Sequence, residues 1–215
     1  MSLWVKVCAN TSLEDAILAA DAGADAVGFV FAPSPRQVNA QQVAAITAHL
    51  PPSIEKIGVF VDATFEAVAA AVESSGLTGV QLHFDGGEDL PALLRQRFGA
   101  SLRILHVLHY GADAAEKATG LARNESIDAI LVDSRTATAI GGTGIRFDWD
   151  AAESLFGSTG LKMIAAGGLN PSNVGEAIAK LRPWGVDVAS GVEIRPGRKD
   201  PEKVRAFVEN ARRAK

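Results

Sequence analysis

Asp133 closes the apolar run "DAILVD", and a glycine-dense stretch follows it, "VDSRTATAIGGTG", from Val132 to Gly144. A carboxylate at a strand tip can give or take a proton. Glycines let a backbone come close to a ligand. The same aspartate can also do no more than cap the next turn. Cys8 closes another run, "WVKVC", and by strand alternation it shares a side with Lys6. A lysine neighbour can draw a thiol below its ordinary pKa of ~8.5 toward thiolate. A lone cysteine is also often a small buried hydrophobe, and Lys6 has a second use as partner to a buried carboxylate. Acid and base at strand tips would suit proton transfer.

Other strand tips point to anion binding. "AAGGLNPSN" ends in Gly167 and Gly168 and leads to a helix start, and "VASGVE" ends in Ser190 and Gly191. Backbone N–H groups and a helix dipole attract phosphate, although ordinary turns use glycine too. Arg36 lies in "APSPRQVN", where prolines stiffen the loop. It is either a solvated surface charge or a bidentate grip on a planar carboxylate. His83 and His109 raise a metal reading. His106 and His109 are three apart on a strand and so face opposite sides. Polar or supporting roles fit them better than ligation, and no metal site is expected.

The elements that must position these groups alternate. Short apolar runs recur as "WVKVC", "AVGFVF", "KIGVFV", "GVQLH", "RILHVL", "AILVDS", "MIAAGG" and "VDVASGV". Alanine-rich segments of helical spacing lie between most of them. Thr11 or Ser12 before Glu14 and Asp15 reads as a helix start, as do Asn170-Pro171 and Asp200-Pro201. Gly23 and Gly76 sit where helices should stop. A doubly wound open sheet alternates in this way as well. Eight units without a G-x-G-x-x-G after the first strand favour a closed (β/α)8 TIM barrel, a single domain over residues 1–215. All strand C-termini then share one face, and the residues named above meet there.

Composition agrees with a folded α/β domain. The chain has 215 residues, 47% of them hydrophobic, and a net charge of −4, so no basic field for nucleic acid is expected. No apolar run approaches the ~20 residues a membrane helix needs. "MSLWVKVCAN" has no charged leader ahead of an apolar region, so no secretory signal is expected. One cysteine precludes an intrachain disulfide and suits the cytoplasm.

Several segments together resemble the phosphoribosylanthranilate isomerase family: "VKVCANTSLEDA", "GADAVGFVFAPSPRQV", "IGVFVD", "VQLH", "LVDS", "GGTGIRFDW", "AAGGLNPSNV" and "GVDVASGVEIRPGRKDPEKVRAF". They span nearly the whole chain in the family's order, and "GGTG…FDW" and "SGVE…PG…KD" are the specific ones. The resemblance implies an Amadori rearrangement in tryptophan biosynthesis, without cofactor. It implies Cys8 as general base, Asp133 as general acid and Arg36 on the anthranilate carboxylate. Gly142, Gly167–Gly168 and Ser190–Gly191 fall in loops that hold phosphate, and His83 and Asp187 join the substrate site. The expected partner is a small phosphosugar, handled by a monomer or a homodimer. Two positions depart from the family: Ala9 replaces a usual glycine, and Phe84 in "LHFDGGED" replaces a small residue. A metal-dependent sugar-phosphate epimerase and a non-catalytic phosphate-binding barrel are the competing readings.

Overall fold

A computed structural model describes residues 2–83, 89–133, 149–157 and 160–214. The strands are β1 (Trp4–Val7), β2 (Ala26–Val30), β3 (Glu55–Val61), β4 (Gly79–His83), β5 (Arg103–His109), β6 (Ala129–Asp133), β7 (Lys162–Ala166) and β8 (Gly185–Val188). They pair in parallel in chain order, and β1 closes onto β8 with Lys6 opposite Asp187. Helices α1 (Leu13–Asp21), α2 (Ala40–Thr47), α3 (Phe65–Ser75), α4 (Leu90–Phe98), α5 (Ala114–Leu121), α6 (Trp149–Phe156), α7 (Val174–Leu181) and α8 (Pro201–Arg213) alternate with them. The β1–β8 pairing selects the closed (β/α)8 barrel over the open sheet. Among the described residues no helix is long and apolar enough to cross a membrane.

Strand parity divides the core in two. Val5 and Val7 of β1, with Val27 and Phe29 of β2, pack against helix residues such as Ala16, Ala19 and Val43. Trp4, Ala26, Ile57, Leu105, Leu131 and Ile164 fill the barrel interior. Each valine, leucine, isoleucine or phenylalanine so buried contributes about 1.5–3 kcal/mol. Trp4 stacks on Trp184, ring centroids 5.3 Å apart, where β1 and β8 begin. Apolar filling is thus concentrated away from the strand C-termini, where the polar residues gather.

Most of the expected helix signals hold. Ser12 caps α1 by accepting from the Asp15 N–H, and Asp200 caps α8 from the Glu202 and Lys203 N–H groups with Pro201 in the first turn. The Asn170-Pro171 start is corrected. The α7 helix begins at Val174, after Asn173. Asn170 Oδ1 accepts from Ser172 N at 2.8 Å and Ser172 Oγ at 2.6 Å. That local turn occupies the side chain a cap would need. The glycines after β7 therefore lead into a turn and only then into a helix. After β8 comes a 3-10 turn, Ser190–Val192, and then a short antiparallel hairpin of β9 (Glu193–Arg195) and β10 (Arg198–Lys199).

Candidate active site

Cys8 directly follows β1, and its Sγ and the Lys6 side chain both lie against Gly28 of β2. A Cβ at Gly28 would stand 2.5 Å from Cys8 Sγ and 3.0 Å from Lys6 Cε. Only a residue without a side chain leaves room for both groups. Lys6 is fully buried. Its ammonium donates to Gln81 Oε1 at 2.8 Å and Asp187 Oδ1 at 2.9 Å. Of the two uses of Lys6 left open by the sequence, pairing with a barrel carboxylate is the one found.

The charge balance of this cluster differs from expectation. Burial draws the Lys6 ammonium down, but Asp187 and Cys8 outweigh it and hold it above its ordinary pKa. Burial pushes the Cys8 thiol up; Lys6 opposes this, and Asp187 adds to it. The thiol ends above its ordinary value rather than below. Burial is the main reason, and Asp187 adds to it by offsetting part of the Lys6 charge that would favour thiolate. Asp187 itself is buried and meets the site through Lys6.

Asp133 is the last residue of β6 and is buried. It lies in register between His109 of β5 and Ala166 of β7. Its backbone carbonyl accepts from Tyr110 N at 3.0 Å. Residues 134–148, Gly142 among them, lie outside the described residues, as does Phe84. His83 ends β4 with its ring centroid 5.8 Å from that of His109, and its Nε2 is 3.2 Å from Gln81 Nε2. His106 instead lies in register with Leu82, a residue of the outer core, so the two histidines of β5 do face opposite ways. Among the described residues no three His, Cys, Asp or Glu side chains gather as metal ligands. Sequence reasoning missed Gln81 and Gly28; Gln81 shares strand parity with His83, which is the signal that finds it.

Beside Asp133, at the end of the next strand, Gly167 and Gly168 turn the chain at φ 83° and 66°. The exposed Ser190 opens the 3-10 turn after β8. Both glycine-bearing loops stand side by side on adjacent strands, as the sequence requires. Arg36 grips a carboxylate, that of Glu193. Its Nε lies 2.9 and 3.1 Å from the two carboxylate oxygens and Nη2 lies 2.6 Å from Oε2. The guanidinium is thereby held in a fixed orientation.

Ala9 carries φ 63°, in the left-handed region. That conformation costs an alanine about 1–2 kcal/mol. Replacing it with glycine removes the strain but also loses a buried methyl worth about 0.8 kcal/mol and adds unfolded-state entropy worth about 0.5–1 kcal/mol. The terms nearly cancel. Ala9→Gly is expected to unfold in urea within about 1 kcal/mol of the parent and to keep its kcat. A loss of several kcal/mol would mean that the methyl packing dominates.

The family model described as "N-(5'phosphoribosyl)anthranilate (PRA) isomerase" matches residues 5–210. The N-(5'-phosphoribosyl)anthranilate isomerase of Citrifermentans bemidjiense is 43% identical over 213 residues, covering 97% of each chain. The crystal structure of phosphoribosyl anthranilate isomerase from Thermotoga maritima superposes with a TM-score of 0.86 at 34% identity, covering 97% of this chain and 98% of that one. A structure of the same kind of enzyme, in complex with reduced 1-(o-carboxyphenylamino)-1-deoxyribulose 5-phosphate, superposes with a TM-score of 0.82 at 32% identity over 97% of this chain and 98% of that one.

Proposed function

This chain belongs to the phosphoribosylanthranilate isomerase family, and we propose that it performs that family's reaction with Cys8 as base and Asp133 as acid. The reaction is an aldose–ketose isomerisation of tryptophan biosynthesis, from N-(5-phosphoribosyl)anthranilate to 1-(2-carboxyphenylamino)-1-deoxyribulose 5-phosphate. The observation that carries the assignment is the placement of a buried thiol after β1 and a buried carboxyl group at the tip of β6, on one barrel face. Only β7 and β8 separate their strands on the short way round, and these carry the glycine loops.

Asp133 protonates the furanose ring oxygen as the C1–O bond breaks. The anthranilate nitrogen lone pair moves in and forms an iminium. That cation acidifies C2–H, and the Cys8 thiolate removes the proton. The C–H electrons flow to the nitrogen and leave an enolamine. Gain of a proton at C1 and loss of one from the C2 hydroxyl gives the ketone. Cys8 then releases its proton and Asp133 regains one, so no proton is consumed. The iminium supplies the electron sink.

Lys6 supports this chemistry by holding a cation against the thiol while Asp187 keeps the buried cluster near neutral. Removing one partner of such a pair is costly, about 3–5 kcal/mol, because the other charge is left buried. The backbone of the loops after β7 and β8 binds the phosphate, and Gly142 is assigned to the same role from the family resemblance. His83 lines the substrate side of the mouth. A single cysteine retained as a base suits a reducing cytoplasm.

Arg36 binds the anthranilate carboxylate. A charge-assisted hydrogen bond is worth about 1.5–3 kcal/mol. Arg36→Ala is therefore expected to raise KM roughly 10- to 150-fold, with a smaller change in kcat. An unchanged KM with a collapsed kcat would make Arg36 catalytic instead. The function as a whole is tested by following the loss of phosphoribosylanthranilate fluorescence with the purified wild-type chain; no turnover would reject it.

A further inference from the structure

Two buried charged side chains have no part in the chemistry above. Lys199 and Glu193 are 1% and 8% exposed, and both stand on the hairpin after β8. A buried ammonium is tolerated only when paired and hydrogen-bonded. Lys199 Nζ donates to the Cys8 carbonyl at 2.5 Å, to the Ala189 carbonyl at 3.3 Å and to Glu193 Oε1 at 3.4 Å. Its three donors are thus spent on the base-bearing residue, on the residue before Ser190 and on its counter-ion. Glu193 in turn receives Arg36, and also Gly197 N at 3.3 Å. One ion pair reaches the end of β1, the end of β8 and the loop after β2.

We propose that Lys199 and Glu193 are positioning residues for this reaction, Lys199 orienting the Cys8–Ala9 peptide and so the thiol, and Glu193 orienting the Arg36 guanidinium. The proposal rests on the roles given above to Cys8 and Arg36. The strained Ala9 supports it: the left-handed residue follows directly on the carbonyl that Lys199 holds. Such strain persists only where the surroundings over-determine it. Here Cys8 N also donates to Val188 O at 2.7 Å, and Asn10 N to Gly28 O at 2.9 Å, so the backbone is pinned at that peptide's carbonyl and on either side of it. The hairpin is itself anchored from outside. Lys199 N donates to Asp15 Oδ2 at 3.1 Å, Thr11 Oγ1 to Gly197 O at 2.6 Å and Lys203 Nζ to Glu193 O at 3.1 Å. A salt bridge serving stability alone has no need to end on the carbonyl of the base and on the arginine of the loop opposite.

The test is steady-state kinetics against pH, with urea unfolding, for Lys199→Met and Glu193→Gln in the full chain. Lys199→Met is expected to lower kcat about tenfold or more with KM changed less than about threefold, and to move the alkaline limb of the pH profile upward, since a cation near the thiol is lost. Glu193→Gln is expected to raise KM about tenfold or more with kcat nearly held. In an Arg36→Ala background the same Glu193→Gln change should move KM less than about twofold, because the group it acts through is gone. If a variant does not fold, Lys199→Arg and Glu193→Asp keep the charge and shift the head group. They should show the same split at about threefold. Wild-type turnover, with every folded variant unchanged or losing kcat and KM in one proportion at an unmoved pH profile, would overturn the positioning roles. Absent wild-type turnover would overturn the assigned reaction itself.

Discussion

Cys8→Ser and Asp133→Asn are each expected to lower kcat about a hundredfold or more. Positioned acids and bases typically contribute 10²–10⁴-fold. Serine fits the space beside Gly28 but is a far weaker base than a thiol. Asparagine matches the carboxyl group in shape and has no proton to transfer. Neither change removes a partner from the Lys6–Asp187 pair, which keeps its own hydrogen bonds, so both proteins should fold. Both should still bind reduced 1-(o-carboxyphenylamino)-1-deoxyribulose 5-phosphate, the compound bound in the related enzyme. In the proposed mechanism the working form needs thiolate and protonated carboxyl together, so the wild-type profile should be a bell. The group that titrates higher sets its alkaline limb. Burial raises the Cys8 thiol above its ordinary value, which assigns that limb to Cys8. Cys8→Ser should remove or displace it. Turnover near the wild-type rate with an unmoved profile would place the base elsewhere, with His83 the next candidate.

Gly191→Ala should be the most damaging change in the phosphate loops. A Cβ there would stand 1.9 Å from the Leu169 carbonyl oxygen, 3.0 Å from its carbon and 3.1 Å from Asn170 Cα. All three are backbone atoms, so no side chain can swing aside. The loops after β7 and β8 must separate, and overpacking of this kind typically costs about 1–3 kcal/mol. N–H donors from two loops then no longer converge on one anion. KM should rise about tenfold or more, and the competitive inhibition constant of inorganic phosphate should rise with it. Gly168→Ala is the internal contrast. Its Cβ would meet nothing within 4 Å, and its strain comes only from φ 66°, about 1–2 kcal/mol. Its effect should be clearly smaller. Unaltered KM and phosphate inhibition in Gly191→Ala would remove the two-loop site.

The local rules of the chain were largely written in its residues. Alternation in "WVKVC" puts Val5 and Val7 outside and Lys6 and Cys8 inside, and the barrel obeys it. Caps at Ser12 and Asp200 follow from side chains that reach their own next turn. The order of the strand tips, with Asp133 on one and paired glycines on the next, follows from the βα alternation once the sheet is closed. Even the Asn170 start fails only by one turn, because a local Asx turn competes for the same oxygen.

Long-range pairing is a different matter. Lys6 meets Asp187 and Gln81 from strands far away in sequence. No spacing rule links residues 6, 81 and 187; the closing of β1 onto β8 does. The upward shift of the Cys8 thiol has the same origin, since it depends on what neutralises Lys6 and on how deeply the group lies. The hairpin after β8 is too short and too charged to read as strands, although its residues form a specific motif in the sequence. By itself, then, the sequence determines which residues sit at the strand tips and which way they face, because alternation and capping act over a few residues. The tertiary structure alone decides their charge state and their alignment, because those are set by burial and by partners that only the closed barrel brings together.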